Sequence, residues 1–540
     1  MVMKRTPIPY RRTTQMLALS ASLMLSPTWP ARAQTTPQAP AIPMFPIVRI
    51  VVEGNTLLPQ ATVDATVLPF IGPRKDFGDV QKAVEALEDA YRKAGLSSVS
   101  VLLPEQVLER GEVRLKVIEA RIKEVRITGQ QHFDADNIRN SLPGVHEGAV
   151  PQLDDISASL RVANENPFKK LKLKMQPGQK DQDIDAVISV TDELPLKIGL
   201  TLDNTGTPQT GRNRLGFSYQ HGNLFNRDQI LTLQYQTSPE KLKDVNVYAL
   251  AYRFPLYAWG DVIDVYATKS DVNAGLVAAG PFNLAITGKG TSVGAKYTRK
   301  LKRRGDYDHE LVFGLDEKVF KNSISTTGVE LGTDVSVRPL SALYSSRLAQ
   351  DGRELSVNLG LTYNLGAGSN GDQAAITKAR LGASREYSVL RGGLTFSQAL
   401  ANDWQWRFAT SAQWAEKPLI PGEQFGVGGA ASVRGFLERE IANDKGIQGN
   451  LELYSPELCA KSFPGQQCRV VGFYDFGALY RNQPQINEDV REHVASAGLG
   501  LRWTVSKDLA VQADYANVLN GTTARPSGHW RFHGRVGWFF

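Results

Sequence analysis

The sequence predicts a transmembrane β-barrel of about 16 antiparallel strands, preceded by two small α+β domains. Three observations predict it: an N-terminal export signal, a strand and helix pattern that occurs twice, and alternating apolar and polar segments from residue 195 to the end. No apolar run of about eighteen residues follows the signal, so we expect no transmembrane helix. Strands that cross lipid must close into a barrel, because lipid cannot hydrogen-bond to an open strand edge.

Residues 1–33 form a predicted secretory signal. An apolar stretch, residues 16–25, is followed by Ala31-Arg32-Ala33, the small-x-small pattern of a signal-peptidase site. Four basic residues precede the apolar stretch: Lys4, Arg5, Arg11 and Arg12. With Arg32, the signal therefore carries 5 of the 62 basic residues and no acidic residue, which leaves 62 − 5 = 57 basic against 55 acidic residues after cleavage. This near neutrality argues against a nucleic-acid partner.

No enzyme class is indicated by the motifs. The sequence contains no phosphate-binding loop, no HExxH pair and no G-x-S-x-G nucleophile motif. The pair Gly426-x-Gly428 resembles half of a dinucleotide-binding motif, but it lies in a loop without the strand-to-helix context that such a motif needs. We therefore expect no catalytic residue, no cofactor and no metal site.

Residues 34–46 are a predicted extended linker, because Pro37, Pro40, Pro43 and Pro46 restrict φ and remove amide donors. Two copies of a strand, helix, helix, strand, strand order follow, at 47–121 and 122–193. The clearest helix is 77–94, whose apolar residues repeat on one face: Val80, Ala83, Val84, Leu87 and Tyr91. In the second copy we expect helices at 135–142 and 153–164.

Residues 194–540 are the predicted barrel. In its last segment Trp530, Phe532, Val536, Trp538 and Phe540 share one face, and Arg531, His533 and Arg535 share the other, so we expect aromatic side chains to face lipid and charged ones to face the lumen. A soluble β-sandwich also alternates and is the alternative. Sixteen segments are predicted, starting near Lys197, Arg214, Gln229, Asp244, Asp261, Gly290, Asp308, Thr333, Glu354, Tyr387, Asp403, Gly446, Arg469, Val494, Asp508 and Trp530.

Because the number of predicted strands is even, the C-terminus lies on the same side of the membrane as the start of the barrel. The even count places 417–445 in an external loop and the segment from Cys459 to Cys468 in a periplasmic turn. An exported protein meets an oxidising compartment, so these two cysteines are predicted to form a local disulfide, with free thiols as the alternative. A zinc site needs about four ligands, and no histidine lies near this pair.

Two motifs and a junction resemble the transporter subunits of two-partner secretion systems, the TpsB family of ShlB/FhaC/HecB-like proteins. Val433-Arg434-Gly435-Phe436 matches the family's V-R-G-[FY] loop tip, and Phe473-Tyr474-Asp475-Phe476-Gly477 matches its F-x-D-x-G wall motif. The junction Asp192-Glu193-Leu194-Pro195 and the terminal Phe540 are similar too. The resemblance implies that the two small domains are polypeptide-transport-associated (POTRA) domains in the periplasm and that the barrel lies in the bacterial outer membrane.

The resemblance also implies site residues. The loop 417–445 would fold from the cell surface into the pore, where Val433, Arg434, Gly435 and Phe436 gate the conduit against the wall motif Phe473, Asp475 and Gly477. Alternation independently places Asp475 toward the lumen, where its carboxylate can pair with the Arg434 guanidinium. If Arg434 and Asp475 form an isolated pair, reversing either charge should impair secretion, and exchanging both charges should restore part of it. Trp538 and Phe540 would form the signal for barrel assembly.

The implied function is secretion of a partner exoprotein (TpsA-like), which leaves open whether the partner is also activated. The resemblance also implies that the protein contacts outer-membrane lipid and the barrel-assembly machinery. We expect it to be a monomer. Family members commonly begin with an amphipathic plug helix, whereas 34–46 is Pro-rich. We therefore expect no helical plug, or a very short peptide one, and gating by the loop alone. The alternatives are an insertase for outer-membrane proteins and a solute porin, which would not need two POTRA domains.

Overall fold

The computed structural model describes residues 43–540 except 108–109, 181, 280–281, 322–323, 327–328, 332–333, 367–369 and 487. The predicted signal, 1–33, and residues 34–42 of the predicted linker lie outside the described residues, and so does the expected absence of a plug helix there. The linker boundary at residue 46 is corrected. Phe45–Ile47 is a strand that pairs with Gly72–Lys75, so main-chain hydrogen bonds tie these residues to the first small domain.

The first small domain is a three-stranded sheet covered by two helices. Its central strand β5 runs parallel to β2 and antiparallel to β4. Helix α2 begins with a capping box between Asp76 and Asp79 and buries the predicted apolar face against the sheet. The elements are β1 (Phe45–Ile47), β2 (Arg49–Glu53), α1 (Gln60–Val67), β3 (Gly72–Lys75), α2 (Phe77–Lys93), β4 (Val99–Leu102) and β5 (Glu112–Glu119).

The second small domain repeats this topology, with β8 between the parallel β6 and the antiparallel β7. The turn after the first strand is equivalent in the two copies. Gly54 and Gly129 have φ of 84° and 87°, and a Cβ on either would lie within 2.6 Å of a carbonyl oxygen of the central strand. The elements are β6 (Arg121–Thr128), α3 (Ala135–Ser141), α4 (Leu153–Ala163), β7 (Lys169–Pro177) and β8 (Asp183–Asp192).

The remaining chain forms a closed antiparallel barrel. Both β20 and β21 pair with β17, so they are two parts of one strand and the barrel has 16 strands. Its strands are β9 (Leu196–Asp203), β10 (Arg214–Leu224), β11 (Gln229–Thr237), β12 (Asn246–Leu256), β13 (Asp261–Ser270), β16 (Gly290–Lys300), β17 (Tyr307–Phe320), β20 (Val335–Val337) with β21 (Pro339–Gln350), β22 (Arg353–Asn364), β23 (Ser388–Ala399), β24 (Gln405–Ala415), β27 (Lys445–Tyr454), β28 (Gln467–Tyr480), β29 (Arg491–Thr504), β30 (Leu509–Asn520) and β31 (Trp530–Phe539).

The other elements lie in loops at one end of the barrel. They are β14 (Asn273–Ala279) with β15 (Phe282–Thr287), β18 (Ile324–Thr326) with β19 (Val329–Leu331), α5 (Gln373–Ala379), and β25 (Phe425–Val427) with β26 (Ile441–Asn443). Each predicted barrel segment begins within about three residues of an observed strand. Alternation was a reliable guide because a barrel strand has a different environment on each face.

The outer face of the barrel is apolar, as predicted. Many large side chains on it stay exposed, among them Leu233, Leu359, Leu499, Phe532 and Trp538. A sandwich would bury this face in a shared core, so the exposed apolar belt contradicts that alternative. Among the helices of the described residues, none is long and apolar enough to cross a membrane.

Candidate functional site

The segment 417–445 folds back into the lumen. Its two limbs pair through β25 and β26, and the residues between them form the tip. Val433 and Phe436, at the tip, are fully buried. They pack in one apolar cluster with residues of the loop limbs and the barrel wall: Val427, Ile441, Leu479, Val494 and Val518.

Arg434 meets Asp475 in a bidentate ion pair. Its Nε donates to Oδ2 and its Nη2 to Oδ1, each at 2.7 Å, and its backbone N–H also donates to Oδ2, at 3.0 Å. The guanidinium carbon lies 3.5 Å from the centroid of the Phe473 ring, a cation–π contact. The planar fork of arginine fits both arrangements at once, which a lysine ammonium could not do.

Two further carboxylates complete the site. Arg434 Nη1 lies 2.9 Å from Glu452 Oε1 on β27 and 3.4 Å from Asp514 Oδ1 on β30. Arg407 pairs with Glu452 at 3.1 Å, and Arg502 pairs with Asp514 at 2.9 Å. We call Arg434 with Glu452, Asp475 and Asp514 the tip site. The sequence prediction missed Glu452 and Asp514, although alternation places both on the inner face.

The third wall-motif residue, Gly477, lets the loop approach the wall. A Cβ there would lie 2.8 Å from Val427 Cγ1 and 3.2 Å from Val494 Cγ2, closer than side chains normally pack. At the tip itself, Gly435 has a φ of 96° and donates its N–H to His533 Nε2 at 2.9 Å. His533, on the last strand, is a further contact that the motifs did not indicate.

The tip site is electrostatically demanding because its charged side chains are buried. The side chains of Arg434 and Asp475 are 3% and 0% exposed. Removing one partner from such a pair leaves the other charge buried without compensation, at a cost of about 3–5 kcal/mol that water in the lumen would reduce. The arrangement can therefore hold the loop closed against the wall and can release it when Arg434 is withdrawn.

The terminal residues lie at the seam that closes the barrel. Strand β31 pairs with β9, and Phe540 exchanges two main-chain hydrogen bonds with Ile198, at 2.7 and 2.9 Å. The rings of Trp538 and Phe540 lie on the outer face with their centroids 4.9 Å apart. Both aromatic side chains therefore remain available on the lipid-facing surface.

Cys459 and Cys468 form a disulfide in the turn between β27 and β28. The Glu457 carboxylate supports this turn by accepting the backbone N–H groups of both cysteines, at 2.7 and 3.0 Å. The turn lies at the end of the barrel opposite the loop 417–445, because β27 and β28 each run from one end to the other.

A second buried cation joins the second small domain to the barrel. Lys169 Nζ donates to Asp228 Oδ2 at 2.5 Å, Asn137 Oδ1 at 2.7 Å and Ser141 Oγ at 2.8 Å. The Tyr257 hydroxyl donates to the same Asp228 oxygen at 2.6 Å. Burial lowers the pKa of Lys169, and the Asp228 carboxylate opposes that effect. We call Lys169, Asn137, Ser141 and Asp228 the junction site, which nothing in the sequence pattern predicted.

Comparison with known proteins gives a consistent pattern. The family model for the haemolysin secretion/activation protein ShlB/FhaC/HecB matches residues 183–503, and the model for a ShlB-type POTRA domain matches residues 45–120. The outer membrane transporter CdiB of Escherichia coli is 23% identical over 452 residues, covering 81% of this chain and 72% of CdiB. The heme/hemopexin transporter protein HuxB of Haemophilus influenzae (strain 86-028NP) is 22% identical over 481 residues, covering 85% of this chain and 81% of HuxB.

Solved structures share the fold. CdiB from Escherichia coli superposes with a TM-score of 0.71 at 21% identity, covering 94% of this chain and 93% of that structure. CdiB from Acinetobacter baumannii gives a TM-score of 0.65 at 16% identity, covering 92% and 90%. At these identities the likeness speaks for the architecture of small domains followed by a barrel.

Proposed function

The chain belongs to the ShlB/FhaC/HecB family of haemolysin secretion/activation proteins, and from this premise we propose that it is an outer-membrane transporter that secretes a partner exoprotein. The observation that carries the proposal is the tip site, where a loop inside the barrel is held by one buried arginine. A passive solute pore has no need of such a releasable obstruction. The relatives named outer membrane transporter CdiB and heme/hemopexin transporter protein HuxB support it.

In the proposed mechanism the two small domains lie in the periplasm and receive the unfolded exoprotein. Each domain has a three-stranded sheet whose outer strands are free on one side within the sheet: β2 and β4 in the first domain, β6 and β7 in the second. An extended peptide can add to such an edge through main-chain hydrogen bonds. The exoprotein then passes the loop tip, and its folding outside the cell gives the transport its direction.

We propose the following residue roles, which the geometry supports for the loop and the wall motif. Arg434 is the cation that keeps the loop on the wall, with Val433, Gly435 and Phe436 shaping the tip around it. Phe473 and Asp475 receive the guanidinium, and Gly477 leaves room for the limb. Trp538 and Phe540 form the signal for insertion by the barrel-assembly machinery, and the monomer in outer-membrane lipid needs neither cofactor nor metal.

Deleting the gene in its own bacterium tests the proposal. We expect the culture supernatant to lose one large exoprotein, measured by quantitative mass spectrometry, while the set of outer-membrane proteins stays constant. A plasmid copy of the wild-type gene should restore secretion. An insertase would instead leave many outer-membrane proteins depleted, and a porin would change only solute uptake; either result would contradict the proposal.

A further inference from the structure

Arg434 is not alone among the buried charges of the loop 417–445, which also include Glu423 and Asp444 near its base. Glu423 lies at the end of a single helical turn, residues 421–423, immediately before β25. Its carboxylate accepts a hydrogen bond from Lys318 Nζ at 2.8 Å and lies 3.3 Å from Arg391 Nη2. The Glu423 side chain is only 1% exposed. We call Glu423, Lys318 and Arg391 the shoulder site.

The Gln413 side chain strengthens the shoulder site. Gln413 on β24 donates to the carbonyl oxygen of Glu423 at 3.1 Å and accepts from Arg391 Nε at 2.8 Å. An apolar cluster lies beside the shoulder, formed by the start of the loop, the outer ends of neighbouring strands and helix α5: Phe320, Val335, Val337, Ile376, Ala383, Tyr387, Val389, Ala415, Leu419 and Ile420. The Glu423 carboxylate is thus shielded from water, although the side chains of Lys318 and Arg391 are 26% and 40% exposed. Loss of both cations would therefore leave a buried charge without compensation.

The shoulder and the tip contact different parts of the wall with opposite charge. At the shoulder, a loop anion meets cations on β17 and β23; at the tip, a loop cation meets anions on β27, β28 and β30. In the sheet order, β17 is separated from β28 by β21, β22, β23, β24 and β27. The loop is therefore attached to the barrel wall at two places that use different strands, although only β24 separates β23 from β27.

Two cavities of the lumen flank the loop. One, of about 300 Å³, lies toward β9, β10 and β11, and the other, of about 530 Å³, lies toward β13 and β16. Ala431 and Glu438 of the loop line both cavities, and the shoulder residues line the larger one. A loop that is fixed at both places thus lies between the two cavities. An exoprotein chain that passes through the lumen would need these cavities to be joined.

We propose that Glu423 is a second positioning residue of the gate, which holds the base of the loop independently of Arg434. The inference rests on the proposed transport function and adds that release of the tip alone opens the lumen only in part. Full opening requires that the tip site and the shoulder site both separate. Because each site is bonded to different strands, neither depends on the other for its geometry.

Single-channel conductance in planar bilayers tests this with Glu423→Gln, Arg434→Gln and the double variant. The substitutions preserve much of the side-chain shape and remove the charge. We expect Arg434→Gln to lengthen the time spent at a partly conducting level and Glu423→Gln alone to change it little. The double variant should reach a fully conducting level on the order of ten- to a hundredfold more often than Arg434→Gln. The matched control is Glu354→Gln, which removes an ion pair with Arg347 on the wall at 2.8 Å and should conduct like the wild type.

Labelling provides a second readout of loop position. Ala431→Cys places a thiol on an exposed part of the loop, while the native cysteines are held in their disulfide. The rate of modification by a membrane-impermeant maleimide added outside intact cells should rise most in the double variant. If Glu423→Gln prevents barrel folding, judged by heat-dependent migration in gels, Lys318→Gln replaces it. We then expect the same changes in conductance and labelling, with a smaller magnitude.

The inference is overturned if the folded double variant conducts and labels like Arg434→Gln alone. The proposed transport function fails on a separate result, when the wild-type gene does not restore the missing exoprotein to the supernatant. Conductance and labelling need no exoprotein, so the two failures can be told apart.

Discussion

The tip site and the junction site each place a buried cation against a carboxylate, the first inside the lumen and the second at the turn between β10 and β11, but they differ in what holds the cation. Arg434 arrives on a loop and meets three carboxylates on three strands. Lys169 belongs to β7 and meets one carboxylate together with the neutral acceptors Asn137 and Ser141. Both side chains are almost fully buried.

The difference teaches which contact can open. When Arg434 leaves, Arg407 still pairs with Glu452, Arg502 still pairs with Asp514, and Asn450 still donates to Asp475. Water entering from the lumen can solvate the remaining charge. When Lys169 leaves, the Asp228 carboxylate stays between a folded domain and a barrel turn, where reorganisation is restricted. We therefore interpret the tip site as a releasable contact and the junction site as a permanent one.

Arg434→Ala should produce the largest effect. It removes the bidentate pair and the ring contact and leaves the wall carboxylates in excess, a cost to the closed state of about 3 kcal/mol or more. We expect the open fraction to rise by two or more decades, measured as single-channel open time. Arg434→Lys should give a smaller rise, since the charge remains but the fork does not. Unchanged conductance in both variants would contradict a releasable tip.

Exchanging the charges, Arg434→Glu with Asp475→Arg, should fail to restore the closed state. The isolated pair expected from sequence would tolerate this exchange. In the structure, a glutamate at the loop tip would face Glu452 and Asp514, and an arginine on the wall would lose the Asn450 donor that Asp475 accepts at 2.8 Å. We expect the exchange variant to conduct at least as much as Arg434→Glu alone. Recovery of the closed state would show that the other carboxylates are unimportant.

Lys169→Met should loosen the junction without opening the pore. The substitution keeps an apolar chain of similar length but leaves the Asp228 carboxylate without its cation, at a cost of about 3 kcal/mol. Amide hydrogen exchange in residues 134–141 and 225–228 should accelerate by one to two decades, while conductance stays at the wild-type level. The control is Lys172→Met on the same strand, where the wild-type side chain is exposed. A conducting Lys169→Met variant would break the distinction between the two sites.

Gly477→Ala should weaken the closed loop by a smaller amount. The added Cβ would press on Val427 and Val494, and overpacking of this kind costs about 1–3 kcal/mol. We expect a modest increase in open time, about tenfold. Gly472→Ala on the same strand meets nothing within 4 Å and serves as the control. Equal conductance of the two variants would show that the limb does not need the space at Gly477.

Acidification should slightly destabilise the second small domain around Asp192. Burial opposes ionisation of the Asp192 carboxylate, but hydrogen bonds from the backbone N–H groups of His132, Gln131 and Phe133 outweigh it and hold its pKa below the usual value. A lowered folded-state pKa stabilises the domain above the unfolded-state value near ~4, and this contribution disappears as the pH falls through the folded-state pKa.

We therefore expect amide exchange in residues 131–133, after correction for the intrinsic exchange rate, to become faster below about pH 4. Asp192→Asn should remove most of that pH dependence. Glu119 occupies the equivalent place in the first domain, where it accepts from Thr56 and Leu57, so Glu119→Gln is the comparison that leaves the junction unchanged.

Much of the architecture was predictable from local patterns. A period of two gives the strand positions and the inward face, because each barrel strand alternates between an apolar outer environment and a polar lumen. The repeated small domains and the helix face Val80, Ala83, Leu87 and Tyr91 follow from the same kind of short-range periodicity. Arg434 and Asp475 were placed on facing surfaces by a family motif and by alternation together.

The sequence by itself determined the barrel, the two preceding domains and the inward placement of Asp475. Only the tertiary structure decided which inward charges meet: Glu452 and Asp514 with Arg434, Glu423 with Lys318, and Lys169 with Asp228. The physical reason is that alternation says which face a side chain occupies, but not its height on the wall. Height depends on strand stagger and on the path of the loop, and both are properties of the closed barrel as a whole.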